Sequence, residues 1–523
     1  MRQEDASVHD YVRKILDARV YDVAVESPLD LMPRLSERIG CSVRLKREDL
    51  QPVFSFKLRG AYNKIARLSN EEAERGVICA SAGNHAQGVA LAASRIRAPA
   101  TIVMPVTTPT IKIQAVERLG GRVVLHGDGF DDAFMHAKAL EAREGLTFVH
   151  PYDDPEVIAG QGTVGMEILR QHPDPITAIF VPVGGGGLAA GVAVYVKFLR
   201  PDIKVIGVEP DDAASMKAAL QHEKRVVLDH VGLFADGVAV RQAGAETFRL
   251  CRAHLDGVIS VDSDAICAAI KDIFDDTRSV PEPSGALSLA GLKAYAGREG
   301  LRHATLIAIN SGANLNFDRL RHIADRAEVG EHREALLAVT IPEGPGSALR
   351  FVQMLGRRPI TEFNYRFADE QAAHIFVGVH LRGGEAEKRE IIAHLRGHEY
   401  EVVDMSENEM AKLHVRHMVG GRAPGMPDER IYRFQFPERP CALLTFLESL
   451  EPGWNISLFH YRNHGADHGR VLAGIQIPRQ ERQRFGKRLR TLDYPFWDET
   501  ENPAYEYFLG PHGGVERCAT ASA

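Results

Sequence analysis

Lys57 lies in the segment Pro52-Val53-Phe54-Ser55-Phe56-Lys57-Leu58-Arg59-Gly60, flanked by Phe54, Phe56 and Leu58. A lysine amine in apolar surroundings loses proton affinity and becomes a usable nucleophile. Most lysines are solvated, so this one needs further groups to define a chemistry. Three stretches offer them: Ser81-Ala82-Gly83-Asn84-His85, the run Gly184, Gly185, Gly186, Gly187 and Leu188, and Ser311-Gly312-Ala313-Asn314. The glycine run lets backbone N–H groups approach an anion with no side chain in the way. Leu188-Ala189-Ala190 opens a helix behind it, and a helix start favours a phosphate. The run is not G-x-x-x-x-G-K-[ST], and no acidic residue follows a G-x-G-x-x-G unit, so nucleotide and dinucleotide loops are disfavoured. A carbonyl cofactor held by its phosphate in this loop needs an amine such as Lys57.

Each of the three stretches directly follows an apolar run. The strand-like runs are 77–80, 101–104, 123–125, 178–181, 205–208 and 306–309, and helical patterns such as 131–144 and 264–276 fall between them. Near-continuous apolar strands alternating with helices predict parallel sheets covered on both faces. In open parallel sheets, ligands bind in the crevice at the carboxyl ends of strands. Three loops at three such ends converge on one crevice.

The chain has 523 residues, enough for about three or four domains at roughly 100–200 residues each. A net charge of -7 gives no electrostatic case for nucleic acid or an anionic membrane. The six scattered cysteines (Cys41, Cys79, Cys251, Cys267, Cys441, Cys518) form no C-x-x-C pair, which argues against a disulfide framework and a cysteine metal site. The polar start has no apolar signal core, so the expected location is cytoplasmic. Residues 176–196 carry no charge, but the central glycines divide them into a buried strand and a buried helix, not a membrane span.

A charged stretch, 319–334, precedes a second half with an internal repeat. Pro342, Phe351, Tyr365 and Gly378 recur as Pro437, Phe446, Tyr461 and Gly474 with spacing kept to within one residue. Each copy reads strand, helix, strand, strand, helix, a duplicated α+β module. The tail 513–523 reads as disordered.

Lys46-Arg47-Glu48-Asp49, the segment around Lys57, Ser81-Ala82-Gly83-Asn84-His85-Ala86-Gln87-Gly88 and the glycine run together resemble the fold-type-II pyridoxal-phosphate (PLP) enzymes of the serine/threonine dehydratase group. The duplicated module resembles the paired ACT-like regulatory domains of the biosynthetic threonine deaminases, so the resemblance spans nearly the whole chain. It implies an α/β catalytic half of two doubly wound subdomains over residues 1–325, the smaller at roughly 55–155. Two α+β ACT-like modules follow at 335–410 and 430–510. It further implies that Lys57 carries the cofactor as a Schiff base and, once freed, acts as general base. Phe56 stacks near the pyridine ring, Asn84 bonds its 3′ oxygen, Gly184, Gly185, Gly186, Gly187 and Leu188 hold the phosphate, and Ser311 faces the ring nitrogen. Ser81, Ala82, Gly83 and His85 are the candidate substrate contacts; His85 has a second reading, as a residue that orients the Asn84 loop. A hydroxyl partner does not enforce ring protonation, which favours prompt β-elimination.

The implied reaction converts L-threonine, with L-serine as an alternative, to 2-oxobutanoate and ammonia. It is the first committed step of isoleucine biosynthesis, in a homotetramer inhibited by isoleucine and antagonised by valine. Effector contacts are expected in 342–351 and 437–446. Two departures from related racemases matter. Ala82 stands where they carry a second serine as opposite-face base, and Ser215 replaces the distal aspartate of their cation site beside Glu209, so no metal is expected. His460, His464 and His468 read as a turn between strands rather than a ligand face, and His414 and His417 as surface residues. Besides the serine-directed dehydratase, two alternatives stay open: a β-replacement enzyme of the cysteine-synthase type, and an amino-acid sensor with an inactive PLP domain.

Overall fold

The computed structural model describes residues 3–368, 370–423, 426–437, 441–451, 453–462, 468–492, 494–502, 505 and 509–510. The chain divides into two compact units, Met1–Ala327 and Glu328–Ala523. His464 and the tail 513–523 lie outside the described residues.

The first unit holds two sheets. The larger runs in the order Leu29–Leu31, Ser42–Arg47, Thr305–Asn310, Ala178–Pro182, Lys204–Pro210, Gly257–Val261, parallel except at its first pair. The smaller runs Arg122–Leu125, Ala100–Met104, Val77–Ala80, Thr147–Phe148, all parallel. All six apolar runs expected as strands lie in these sheets, and the two expected helices form as Phe130–Glu144 and Ser263–Thr277. Successive strand residues point to opposite faces, so a continuous apolar run feeds two cores. Phe180, Val208 and Leu306 enter one core of the larger sheet, and Ile179, Val181 and Ile307 enter the other. Cys79 and Ile102 against Ile78 and Val103 repeat the pattern in the smaller sheet. The uncharged stretch 176–196 becomes the buried strand Ala178–Pro182 and helix Gly187–Leu199. No described helix is long and apolar enough to cross a membrane.

Helix Lys57–Ile65 is pinned by a buried charge cluster. Arg59, fully buried, donates to Glu48 at 2.7 and 2.8 Å and to Glu167 at 2.5 and 2.9 Å. Lys46, also fully buried, donates to Glu167 and to the Ser27 carbonyl, each at 2.6 Å. Two cations thus face two carboxylates, and Tyr21, Ser27 and Thr163 take up further hydrogen-bonding capacity. The segment Lys46-Arg47-Glu48-Asp49 therefore acts through packing. Gly60 and Gly160 let this helix lie against helix Pro155–Gln171: a Cβ on Gly60 would stand 2.7 Å from the Val157 carbonyl.

The second unit is one eight-stranded antiparallel sheet of two modules, each with the order strand, helix, strand, strand, helix, strand. The last strands, Glu401–Asp404 and Phe496–Asp498, are an addition to the five elements read from the repeat; they are short, exposed edge strands with little apolar signal. The duplication extends to irregularities. The second strand of each module shifts register, at Ile360/Glu362 and at Ile456/Leu458. At each shift a hydroxyl, Thr361 or Ser457, donates to the glutamate that opens its module's first strand, Glu334 or Glu429. A Cβ on Gly378 or Gly474 would collide with that hydroxyl, which explains why glycine recurs there. His414 and His417 are exposed, and His460 lies in strand Asn455–Arg462.

Arg59→Leu should leave the buried Glu48 without its salt-bridge partner and Glu167 with Lys46 alone, and cost about 3–5 kcal/mol of the first unit's stability. Denaturant unfolding measures this, and wild-type stability in the variant would refute a structural role for the cluster.

Candidate active site

The three loops meet around Lys57. The segment before the lysine pairs with the third loop: Phe56 N donates to Ser311 O at 3.2 Å, Ala313 N donates to Phe54 O at 2.9 Å, and Ser55 bridges Gly312. The second contact comes from helix Asn84–Ile96, where a Cβ on Gly88 would lie 3.2 Å from the Lys57 carbonyl carbon. The Lys57 amine donates to the Pro151 carbonyl at 2.9 Å, and its Nζ lies 5.4 Å from the centre of the Phe56 ring. Burial pulls this amine down to about 8, against the opposing attraction of Glu282.

The apolar setting differs from the expected one at Phe54. That residue has φ 56° and is 56 % exposed, while Leu58 packs with Val20, Ala24 and Val53, so of the three flanking apolar residues Phe56 is the one beside the amine. The left-handed kink turns the ring away while Phe54 keeps its backbone bonds to Gln51 and Ala313. Such a conformation is unfavourable for a bulky residue and is sustained by the surrounding pairing.

The glycine loop connects strand Ala178–Pro182 to helix Gly187–Leu199. Its carbonyls are turned outward: Gly185 O accepts from Thr247 Oγ1 at 2.6 Å and from Gly244 N at 3.3 Å. Gly186 adopts φ 97°, a conformation that favours glycine, at the helix start. A Cβ on Gly184 would lie 3.0 Å from Val238 Cα, and one on Gly185 would collide with the Tyr152 ring. The loop thus presents backbone only, and the first turn of the helix leaves N–H groups without intrahelical partners, the kind of site that suits an anion.

At the first loop, a Cβ on Gly83 would meet nothing within 4 Å, so the backbone borders open space. Ser81 Oγ accepts from Gly83 N at 3.3 Å. His85 is turned inward, with Nε2 2.8 Å from Val149 O, and burial depresses it to about 3. A carbonyl only accepts, so the neutral ring carries its proton on Nε2 and tethers the loop. Asn84 donates through Nδ2 to Glu282 at 2.5 Å and accepts at Oδ1 from Asn314 at 2.6 Å. Ser311 donates to Ser284 O at 3.1 Å.

These residues fit PLP. Ser55 Oγ and Asn310 Nδ2 are buried beside the third loop without a hydrogen-bond partner, a cost that a polar ligand offsets. The Lys57 amine, the bare glycine backbone and the Asn84 amide are the kinds of group that such a cofactor requires.

Further residues hold the site; among them Glu282 and the segment 150–153 carry no sequence signal, whereas Asn314 belongs to the third stretch. Glu282 and Asn314 hold Asn84. The segment 150–153 spans the site: Pro151 holds Lys57, Tyr152 closes on Gly185, and Asp153 caps helix Ala245–His254 through Ala245 N at 2.8 Å and Glu246 N at 2.9 Å. Glu209 is buried, raised by that burial to about 7, and accepts from Met216 N and Lys217 N at 2.8 Å each.

The second unit contains a cavity of about 250 Å³ between its modules. Ile341, Ala373, Ile375, Leu447, Leu450 and Ile456 supply apolar wall. Glu343 supplies charge, bonded by the Tyr365 hydroxyl and by Asn455 Nδ2 at 2.9 Å. Residues 342–350 of the first expected effector segment line it, whereas the second module contributes Leu447, Leu450, Glu451, Trp454, Asn455 and Ile456; none of the described part of 437–446 takes part.

Two parallel sheets with three strand-end loops around a buried amine define a pyridoxal-phosphate-dependent enzyme, and residues 21–312 match the family described as pyridoxal-phosphate dependent enzyme. Residues 325–415 and 420–509 each match the C-terminal regulatory domain of threonine dehydratase. The chain belongs to the biosynthetic threonine dehydratase family. It is 59% identical to the biosynthetic L-threonine dehydratase of Burkholderia multivorans over 96% of this chain and 99% of that one, and 56% identical to that of Escherichia coli over 96% and 97%. Among solved structures, the processed form of threonine deaminase isoform 2 from Solanum lycopersicum is 52% identical with a TM-score of 0.61, covering 62% of this chain and 94% of that one.

In the cofactor-free protein, amine-reagent labelling of Lys57, read by peptide mass spectrometry, should half-saturate near pH 8. Half-saturation above about pH 10, the ordinary lysine range, would contradict the burial argument.

Proposed function

We propose that the first unit eliminates the β-hydroxyl of L-threonine to give 2-oxobutanoate and ammonia, the first committed step toward isoleucine. The observation that carries this reading is the buried, proton-poor amine of Lys57 among three loops that suit one cofactor. PLP, bound through its carbonyl carbon, supplies the electron sink that makes the substrate Cα proton acidic. Lys57 serves as the cofactor's anchor and then, displaced by the substrate amine, as the base that takes the Cα proton. At pH 7 an amine of this affinity is about one-tenth neutral, against fewer than about one in a thousand for an ordinary lysine. Gly184, Gly185, Gly186, Gly187 and Leu188 hold the phosphate through backbone N–H groups. Phe56 packs against the ring, and Asn84 donates to its oxygen. Ser311, a neutral hydroxyl, turns its one proton from the Ser284 carbonyl to meet the ring nitrogen without forcing its protonation, which favours departure of the β-hydroxyl over a long-lived carbanion. Ser81, Ala82, Gly83 and His85 border or support the substrate space, and Ala82 offers no second base on the opposite face. L-Serine is the nearest alternative substrate; a competition assay of the two ranks them.

The second unit is proposed to sense isoleucine, with valine as antagonist, in a cytoplasmic homotetramer. Four buried free cysteines suit a reducing compartment. The cavity between the modules suits a branched-chain amino acid: Glu343 receives the ammonium group and the aliphatic wall receives the side chain.

Lys57→Ala should abolish both 2-oxobutanoate release and the long-wavelength absorbance of bound cofactor; full activity in that variant sinks the assignment. Isoleucine should raise the apparent threonine requirement sigmoidally. Glu343→Gln should weaken that inhibition by about tenfold or more, since a hydrogen bond to a charged group is worth roughly 1.5–3 kcal/mol. An unchanged isoleucine response in a threonine-saturation series would move the effector site elsewhere.

A further inference from the structure

Glu282 is 4 % exposed and occupies the position just before helix Pro283–Arg298. A side chain there commonly caps its own helix, yet this carboxylate makes no capping bond. It reaches the other subdomain instead and accepts from Asn84 Nδ2 at 2.5 Å. Gly312 makes room for it: a Cβ there would stand 2.7 Å from Glu282 Oε1.

A chain of one-way hydrogen bonds runs through this point. The Val53 carbonyl only accepts, so Asn314 must turn its Nδ2 toward it, at 2.9 Å. The same Nδ2 donates its other hydrogen to Asn84 Oδ1 at 2.6 Å. Asn84 therefore has its oxygen toward Asn314 and its nitrogen toward Glu282. An amide flip reverses donor and acceptor at nearly no steric cost, so only such a network fixes the orientation. A primary amide carries two N–H groups. One is spent on Glu282 and one remains.

The other charged groups near Glu282 are Asp236, Lys112 and Lys57. Burial and Asp236 push its carboxyl up to about 7, while Asn84 and Lys112 oppose the rise. Lys112 is itself paired with Asp236 at 2.8 Å, and Arg319 reaches Asp236 at 3.4 Å.

We propose that Glu282 is a positioning residue for the elimination: its buried carboxyl fixes the Asn84 amide so that Asn84 offers the ring oxygen of the bound cofactor one N–H donor and no acceptor. The inference rests on the reading that Asn84 faces that oxygen. A donor-only partner stabilises the oxygen in its deprotonated form, whereas a flipped amide favours the protonated form.

The test compares purified holoenzyme carrying Asn84→Ala, Glu282→Ala, Glu282→Gln, Asn314→Ala and the double change Asn84→Ala/Glu282→Ala. The readouts are the absorbance spectrum of bound cofactor, its dissociation constant, and kcat and KM for threonine. Asn84→Ala and Glu282→Ala should shift the cofactor absorbance to shorter wavelength, and the double variant should shift it no further. Glu282→Ala should lower kcat by about tenfold or more with KM little changed. Glu282→Gln, whose carbonyl can still accept from Asn84, should restore most of the spectrum. A shift in Asn84→Ala with a wild-type spectrum in Glu282→Ala, or additive effects in the double variant, overturns the role of Glu282 alone. A wild-type spectrum in Asn84→Ala overturns the placement of Asn84 itself. Should Glu282→Ala fail to fold, Asn314→Ala removes the other half of the clamp, and a wild-type spectrum there overturns the proposal.

Discussion

The catalytic unit depends on a neutral cluster of four buried charges, in which Arg59 and Lys46 face Glu48 and Glu167. Taking one such ion out of water costs several kcal/mol, so the cluster is tolerable only complete. Its geometry joins strand Ser42–Arg47, the turn at Glu48, helix Lys57–Ile65 and helix Pro155–Gln171 at one point. Arg59 is two residues from Lys57. Whatever holds the guanidinium holds the start of the helix, and with it the amine.

That constraint explains how a lysine is kept proton-poor in a crevice that must admit a charged substrate. Burial alone would let the flexible side chain swing toward water. Here the backbone is clamped on three sides, by Arg59 and its carboxylates, by the close approach of Gly88, and by the pairing of Phe56 with Ser311. The amine then needs only the Pro151 carbonyl as a resting partner. The remaining loops apply the same economy. Gly185 turns its carbonyl to Thr247, leaving N–H groups for an anion, and His85 spends its one proton on Val149.

The parallel sheets were legible because a strand buried on both faces must be apolar throughout, and six short apolar runs said so. The loops were legible because glycine, serine and asparagine after such runs are costly inside a sheet. Lys46-Arg47-Glu48-Asp49 was legible as a motif but not as a buried cluster, since nothing local says that Glu48 waits for Arg59 and Glu167. Glu282 escaped notice for a similar reason: it is 198 residues from Asn84, and a glutamate before a proline reads as an ordinary helix start. Phe54 misled because strand-like alternation around Lys57 hides the kink at φ 56°. Hydrophobic pattern specifies which face is covered; it does not specify which distant polar atom a side chain will meet.

The second unit shows what duplication preserves and what it releases. Both copies retain the register shift, the hydroxyl on it, the glutamate that receives that hydroxyl, and the glycine that makes space, because these four features are mutually required. The cavity does not respect the repeat: it joins the start of the first module's helix to the end of the second module's, so its two sides descend from different parts of one ancestral unit. The crevice around Lys57 must activate its guest and therefore spends buried charge and strain on an amine. The cavity around Glu343 sets a carboxylate held by Tyr365 and Asn455 against an aliphatic wall and carries no such proton-poor amine.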